Sequence, residues 1–233
     1  MSSAASLDAQ EPVVLVVDDH QLVGSSLVLA LAVRGLRGYH CATTGTADIL
    51  RSAEPFPPGL VMLDLELGHG VDGAPIDEIE LITGFRARSW STVVVSAATD
   101  ERRIATAIAA GAIGYVSKSA PLADLLDVVG AAAAGQSVLT RAARARWLEV
   151  DRRGRLAQRR DRDRMRRLTS REREVLDCLA RGERAAAVAE HFVVSLTTVR
   201  SQIRSILTKL DVNSQLEAVA LLRRAHGGDS SST

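Results

Sequence analysis

The chain has 233 residues, 46% hydrophobic and 24% charged, which suits one or two globular domains with real cores. No apolar run approaches the ~18 residues of a membrane span, and the start "MSSAASLDAQEP" lacks the pattern of a signal peptide. A soluble, cytoplasmic protein with no membrane partner is expected. The net charge of +1 is a cancellation: residues 1–150 carry 11 basic and 17 acidic side chains, and residues 151–233 carry 18 and 11.

Residues 1–11 are expected to be disordered. Short apolar runs follow at 13–17, 60–63, 92–96 and 114–117, too continuous to have a solvent face and so predicted as strands buried on both sides, and a weaker run at 37–42 is predicted as a fifth strand. Between and after them lie helix-like stretches at 20–34, 45–53, 76–88, 100–110 and 121–134. Strict alternation of this kind predicts a doubly wound α/β fold with a five-stranded parallel sheet, spanning 12–137.

Sheets of this type carry their sites at the carboxyl ends of the strands. The residues there are Asp18 and Asp19, Asp64, Ser96 and Lys118. Carboxylates gathered at one edge repel each other unless a cation joins them, and hard oxygen donors favour Mg²⁺. Carboxylates, metal and one ammonium describe a phosphoryl-transfer site with Asp64 as nucleophile. Aspartyl-phosphate hydrolases use a second acid two residues after the nucleophile in a DxD pattern. Here the stretch is "LDLELG", which fits that alternative poorly.

The strand ends "VDD", "LD", "VVVSA" and "GYVSKSAP" resemble those of response regulator receiver domains. The resemblance implies that Asp64 is the phosphoacceptor for a sensor histidine kinase, and that Asp18, Asp19, Asp64 and the backbone carbonyl of Glu66 hold Mg²⁺. It also implies that Lys118 stabilises the phosphoryl group, with Ser96 and Tyr115 as the switch pair. One departure stands in "VMLDLELGHGVDG": Gly68 occupies the family's usual proline position, and Gly73 falls one residue late. A permissive, mobile loop is expected there, with His69 near the site. A phosphorylation-independent regulator with the receiver as a constitutive dimerisation module is the alternative reading.

Residues 138–166 read as an Arg-rich linker, partly helical, with Arg152–Arg167 as a solvated tether or a non-specific phosphate contact. From 167 to 226 the period becomes helical. Thr169 and Glu172 form a capping box, and Gly182 ends that helix. Ser195 caps a longer one, with Leu196, Val199, Ile203, Leu207 and Leu210 as its apolar stripe. The opposite face offers Thr197, Ser201, Arg204, Ser205 and Thr208, flanked by Arg200, with no acid between Ser195 and Lys209. That face suits a DNA major groove, and the whole predicts a small all-α helix-turn-helix domain.

"LTSREREVL", "VAEHF", "VSLTTVRSQI" and "LTKL" resemble LuxR-type DNA-binding domains. The resemblance implies double-stranded promoter DNA as partner and a homodimer when active. Arg200, Ser201 and Arg204 become base-contact candidates, Thr197 lies on the same face, and Thr198, Gln202 and Lys209 become phosphate contacts. The start of the preceding helix, "RAAA", lacks a polar cap. Cys41 and Cys178 show no metal or redox spacing and are expected to be reduced core thiols. The tail, 227–233, is expected to be disordered. A transcription regulator rather than an enzyme is the overall expectation.

Overall fold

The computed structural model describes residues 12–97 and 101–226, so the expectations for both termini lie outside the described residues. The chain divides into two compact units, one ending at Asp151 and the other beginning at Arg152.

The first unit holds β1 (Val13–Val17), α1 (Gln21–Val33), β2 (Arg37–Cys41), α2 (Thr46–Arg51), β3 (Leu60–Asp64), α3 (Glu78–Ala87), β4 (Ser91–Ser96), α4 (Glu101–Ala110), β5 (Gly114–Ser117) and α5 (Leu122–Ala133). The strands are all parallel, in the order β2-β1-β3-β4-β5. Alternation along each strand sends side chains to two separate cores. Val14, Val16, Met62, Val93 and Val95 pack with α1 and α5. Leu15, Val17, Leu63 and Val94 pack with α2, α3 and α4 around Phe85. Burial on both faces explains why β1, β3 and β4 read as continuous apolar runs, while the edge strand β2 is largely unburied and reads as the weak one.

Register places the polar strand ends together. Val17 pairs with Leu63, Asp64 with Val95, and Ser96 with Ser117. Asp18, Asp64, Ser96 and Lys118 therefore emerge at one edge of the sheet.

Helix α6 (Arg141–Arg166) is continuous for 26 residues. Its first turns belong to the first unit, where Trp147 packs on the core and Arg144 donates to the Ala112 carbonyl at 3.2 Å. Its last turns belong to the second unit, where Met165 joins the core and Asp161 binds Arg224 at 3.0 Å. The stretch expected as a tether is thus helical. Arg, Ala, Leu and Gln are good helix formers, and the anchors at its end lie far away in sequence.

The second unit continues with α7 (Ser170–Ala180), α8 (Ala185–His191), α9 (Leu196–Leu210) and α10 (Gln215–His226). The capping box at Thr169 and Glu172 is formed in both directions, and Gly182 closes α7 at φ +86°. Ser195 accepts from the Thr198 N–H to start α9. Arg184 makes no side-chain cap for α8, as the "RAAA" start suggested. Val199, Ile206 and Leu210 form the buried ridge of α9, while Leu196 is exposed. Both cysteines are free and buried. Among the described residues no helix is long and apolar enough to cross a membrane.

Candidate phosphoryl pocket and DNA-reading helix

Asp18 and Asp64 are buried at the strand ends, and Asp19 stands exposed beside them. Lys118 Nζ lies 2.6 Å from Asp64 Oδ2 and 3.5 Å from Asp18 Oδ2. Burial pushes the Asp64 carboxyl above its ordinary pKa, with Asp18 adding like charge, and the hydrogen bonds from Lys118 and the Glu66 N–H only partly offset it. Partial burial works against the Lys118 ammonium, yet Asp64 and Asp18 more than reverse that, so its pKa is raised and it stays charged.

One oxygen from each of Asp18, Asp19 and Asp64, together with a ring nitrogen of His20, lie within 4.8 Å of one another. A set dominated by hard carboxylate oxygens is compatible with Mg²⁺. His20 was not anticipated, although it directly follows the acidic pair. Its Nδ1 is 2.7 Å from Asp19 Oδ1, and its N–H donates to Asp18 Oδ1 at 2.8 Å. His40 reaches the Asp18 carbonyl from β2 at 3.0 Å. That contact requires Gly24 on α1, because a Cβ there would stand 2.2 Å from the imidazole.

Ser96 is buried at the same edge. Tyr115 is half-buried and meets the edge of Trp147 at 5.2 Å between ring centroids and 81° between planes. Trp147 is a second residue that sequence reasoning missed, since it lies in the supposed linker. The Glu66 side chain is exposed while its N–H donates to Asp64 Oδ1 at 3.2 Å.

The glycine-rich loop is built differently from the mobile wall expected. Leu65, Leu67 and Ile76 are buried beneath it. The Ile76 N–H donates to the Gly68 carbonyl at 3.1 Å, Gly70 to Ala74 at 2.8 Å, and Val71 to Thr44 at 2.9 Å. Arg103 of α4 donates to the Leu65 carbonyl and to Glu78. Gly68 has φ +65°, a conformation closed to proline, whose ring fixes φ near −65°. The glycine at the usual proline position therefore fits the positive φ that this hydrogen-bonded loop adopts there. His69 is exposed in a bridge with Pro75.

On α9, Thr197, Thr198, Arg200, Ser201 and Arg204 are exposed, with Thr208 continuing the stripe. Gln202 is half-buried, and its Oε1 is buried with no partner among the described residues. Lys209, expected among the phosphate contacts, is turned onto Glu172 of α7 at 2.7 Å. Ser205 donates to the same carboxylate at 2.7 Å. Both residues thus face the scaffold, because a buried carboxylate attracts every donor in reach. Burial alone would raise the pKa of Glu172; Lys209, the Thr169 N–H and the Ser205 and Thr169 hydroxyls together bring it down to about 2.

Residues 14–130 match the family model of the response regulator receiver domain, and residues 166–222 match that of the bacterial regulatory proteins of the luxR family. The chain is 30% identical over 213 residues to the nitrate/nitrite response regulator protein NarL of Escherichia coli strain K12, covering 90% of this chain and 94% of that protein. It is 27% identical over 215 residues to the transcriptional regulatory protein LiaR of Bacillus subtilis strain 168, covering 91% and 97%. A solved structure of RcsB from Salmonella enterica serovar Typhimurium bound to a promoter aligns with TM-score 0.48 and 22% identity, covering 93% of this chain and 99% of that one. A receiver domain followed by a LuxR-family DNA-binding domain makes this chain a member of the NarL/LuxR-type response regulators, which are transcription factors.

Proposed function

We propose that Asp64 accepts a phosphoryl group from a sensor histidine kinase and that this switches DNA binding by α9. The observation that carries the proposal is the Lys118–Asp64 contact inside an acidic, buried pocket. A carboxylate oxygen of Asp64 attacks phosphorus, the bond to the donor nitrogen breaks, and the donor imidazole leaves with the electron pair. Lys118 stays charged throughout and faces the oxygens on which negative charge accumulates. Asp18, Asp19, Asp64 and the Glu66 carbonyl would hold Mg²⁺, which when bound neutralises the charge that gathers between carboxylates and phosphoryl group.

Phosphorylation adds about −1.5 to −2 charges at Asp64 if the acyl phosphate resembles other phosphoryl groups. Ser96 turns to donate to a phosphoryl oxygen, and Tyr115 moves inward after it. The edge contact with Trp147 is then lost, which changes the face formed by α4, β5 and the start of α6 and favours a homodimer. In the second unit Arg200, Ser201 and Arg204 read bases from the groove, with Thr197 on the same stripe. Thr198 and Gln202 flank it. Lys209 braces α9 through Glu172, with any phosphate contact second to that.

The test is transfer from a small-molecule phosphodonor with Mg²⁺, followed by intact mass. The native chain gains one phosphoryl group and Asp64→Asn gains none. Uptake by the Asp64→Asn chain would show that another residue is the acceptor.

A further inference from the structure

Most of the net positive charge of the second unit lies outside the reader helix. Residues 168–233 carry nine basic and eight acidic side chains, close to neutrality. Residues 152–167 carry nine arginines against two aspartates. Sequence-independent DNA affinity comes from cations set against phosphates. The reader helix supplies only Arg200, Arg204 and Lys209, and Lys209 is engaged by Glu172.

The arginine-rich stretch is the second half of α6, ordered as helix and built into the same unit as the reader. Gly154, Gln158, Asp161 and Met165 turn inward at helical spacing. Arg164 pairs at 3.4 Å with Asp211, the residue that closes α9. Arg152, Arg155, Arg159, Arg162 and Arg166 recur three and four residues apart along one flank, over about 21 Å of helix; Arg162 is half-buried, Arg166 pairs with Asp163 at 3.5 Å, and Arg152, Arg155 and Arg162 hold further contacts of their own. Arg153 and Arg160 lie on the other flank. Arg159 and Arg160 are exposed and form no ion pair with a described residue.

We infer that the second half of α6 is a sequence-independent contact to the phosphate backbone of duplex DNA, separate from base reading by α9. Duplex DNA is the partner favoured over an acidic protein or a membrane because the arginines share a unit with a helix-turn-helix. The guanidinium fork also matches phosphate oxygens. The inference goes beyond the proposed reader and does not require the phosphoryl switch.

The test uses the full chain with Arg159→Gln/Arg160→Gln, which keeps good helix formers at exposed positions; circular dichroism confirms the helix. Anisotropy of a labelled duplex is followed from about 50 to 200 mM salt. The log–log salt slope should shrink by about 2, near 0.9 for each lost phosphate contact, equally for a random duplex and for a duplex selected from a random pool. Arg159→Lys/Arg160→Lys should keep most of the slope. An unchanged slope in the Gln variant, or a loss confined to the selected sequence, would overturn the proposal. Arg204→Ala separates the two ideas: it should reduce preference for the selected duplex with little change in slope. Retained preference would count against the α9 reader alone.

Discussion

Lys118 and Lys209 are the two lysines of the chain, and each binds a buried carboxylate at almost the same distance, 2.6 Å to Asp64 and 2.7 Å to Glu172. The carboxylates nevertheless shift in opposite directions. Asp64 is driven up by burial and by Asp18, against Lys118 and one backbone N–H at 3.2 Å. Glu172 also meets the cost of burial, but four donors outweigh it. Ion-pair geometry therefore does not define the role; the remaining donors and neighbouring charges do. Glu172 is saturated and rivets α7 to α9. Asp64 has lone pairs and excess negative charge left over, the condition for taking up a cation and attacking phosphorus.

Removing each ammonium should separate the two roles. Lys118→Ala should slow phosphoryl uptake from a small donor about 100-fold, the scale for losing one preorganised donor, and leave unfolding of the second unit unchanged. Lys209→Ala should leave uptake intact and cost about 2–3 kcal/mol in the second unit, since it strands a buried carboxylate whose partner is itself partly exposed. Stopped uptake assays and urea titrations check both. A stability loss confined to the first variant would reverse the assignment.

Acid sharpens the contrast. Glu172 titrates near 2 in the folded chain against an ordinary 4.5. Its contribution is complete above pH 4.5 and disappears as pH falls through 2, worth about 3 kcal/mol across that window. Protection against hydrogen exchange in residues 168–226, taken relative to the intrinsic rate at each pH, should fall over that range, and Glu172→Gln should flatten the dependence. Asp64 has the opposite sign: its folded pKa is raised, so its charged form weighs against the fold as pH rises beyond the carboxylate range. Mg²⁺ at neutral pH should relieve this, raising first-unit stability by about 1.4 kcal/mol at ten times Kd. Thermal melts with and without the ion check it.

Much of this was legible because chemistry sat at strand ends. Asp18, Asp64, Ser96 and Lys118 each end an apolar run, and parallel pairing brings such ends together. The stripe on α9 followed from 100° per residue, but the wheel gives only a direction. It could not show that Glu172, 37 residues away, lies where Lys209 points. The stripe also leaves out Ile206, which stands at the edge of the apolar face beside Val199 and is buried with it. The α6 arginines read as a tether because a polar helix shows no apolar period, and its anchors to Asp211 and Arg224 are long-range. Gly68 read as looseness, whereas its positive φ closes a hairpin over Leu67 and Ile76. The odd loop is the only support for a receiver that ignores phosphate, and DNA affinity with and without phosphodonor separates that alternative from the switch.

The Tyr115–Trp147 contact lies on the responsive side of the comparison. Trp90 and Trp147 are the two tryptophans, so Trp90→Phe leaves one reporter. Beryllofluoride with Mg²⁺ should change Trp147 emission in that variant, and adding Tyr115→Ala should abolish the change. An emission spectrum indifferent to beryllofluoride while mass shows Asp64 competent would detach Trp147 from the switch.

Val193 is the exception within the saturated unit. It lies in the turn between α8 and α9 at φ +54°, a left-handed conformation that a β-branched residue resists, and its side chain is 90% exposed. Strain of this kind costs on the order of 1 kcal/mol, and no packing repays it. Asparagine tolerates the conformation, so Val193→Asn should raise the stability of the second unit by about 1 kcal/mol without altering the α7–α9 rivet. If urea titration shows the gain and DNA affinity is unchanged, the strain is incidental to a fold held by Glu172. If affinity falls as stability rises, the exposed valine belongs to the DNA contact, and the second unit then carries a poised element of its own, as proposed for the first at Asp64.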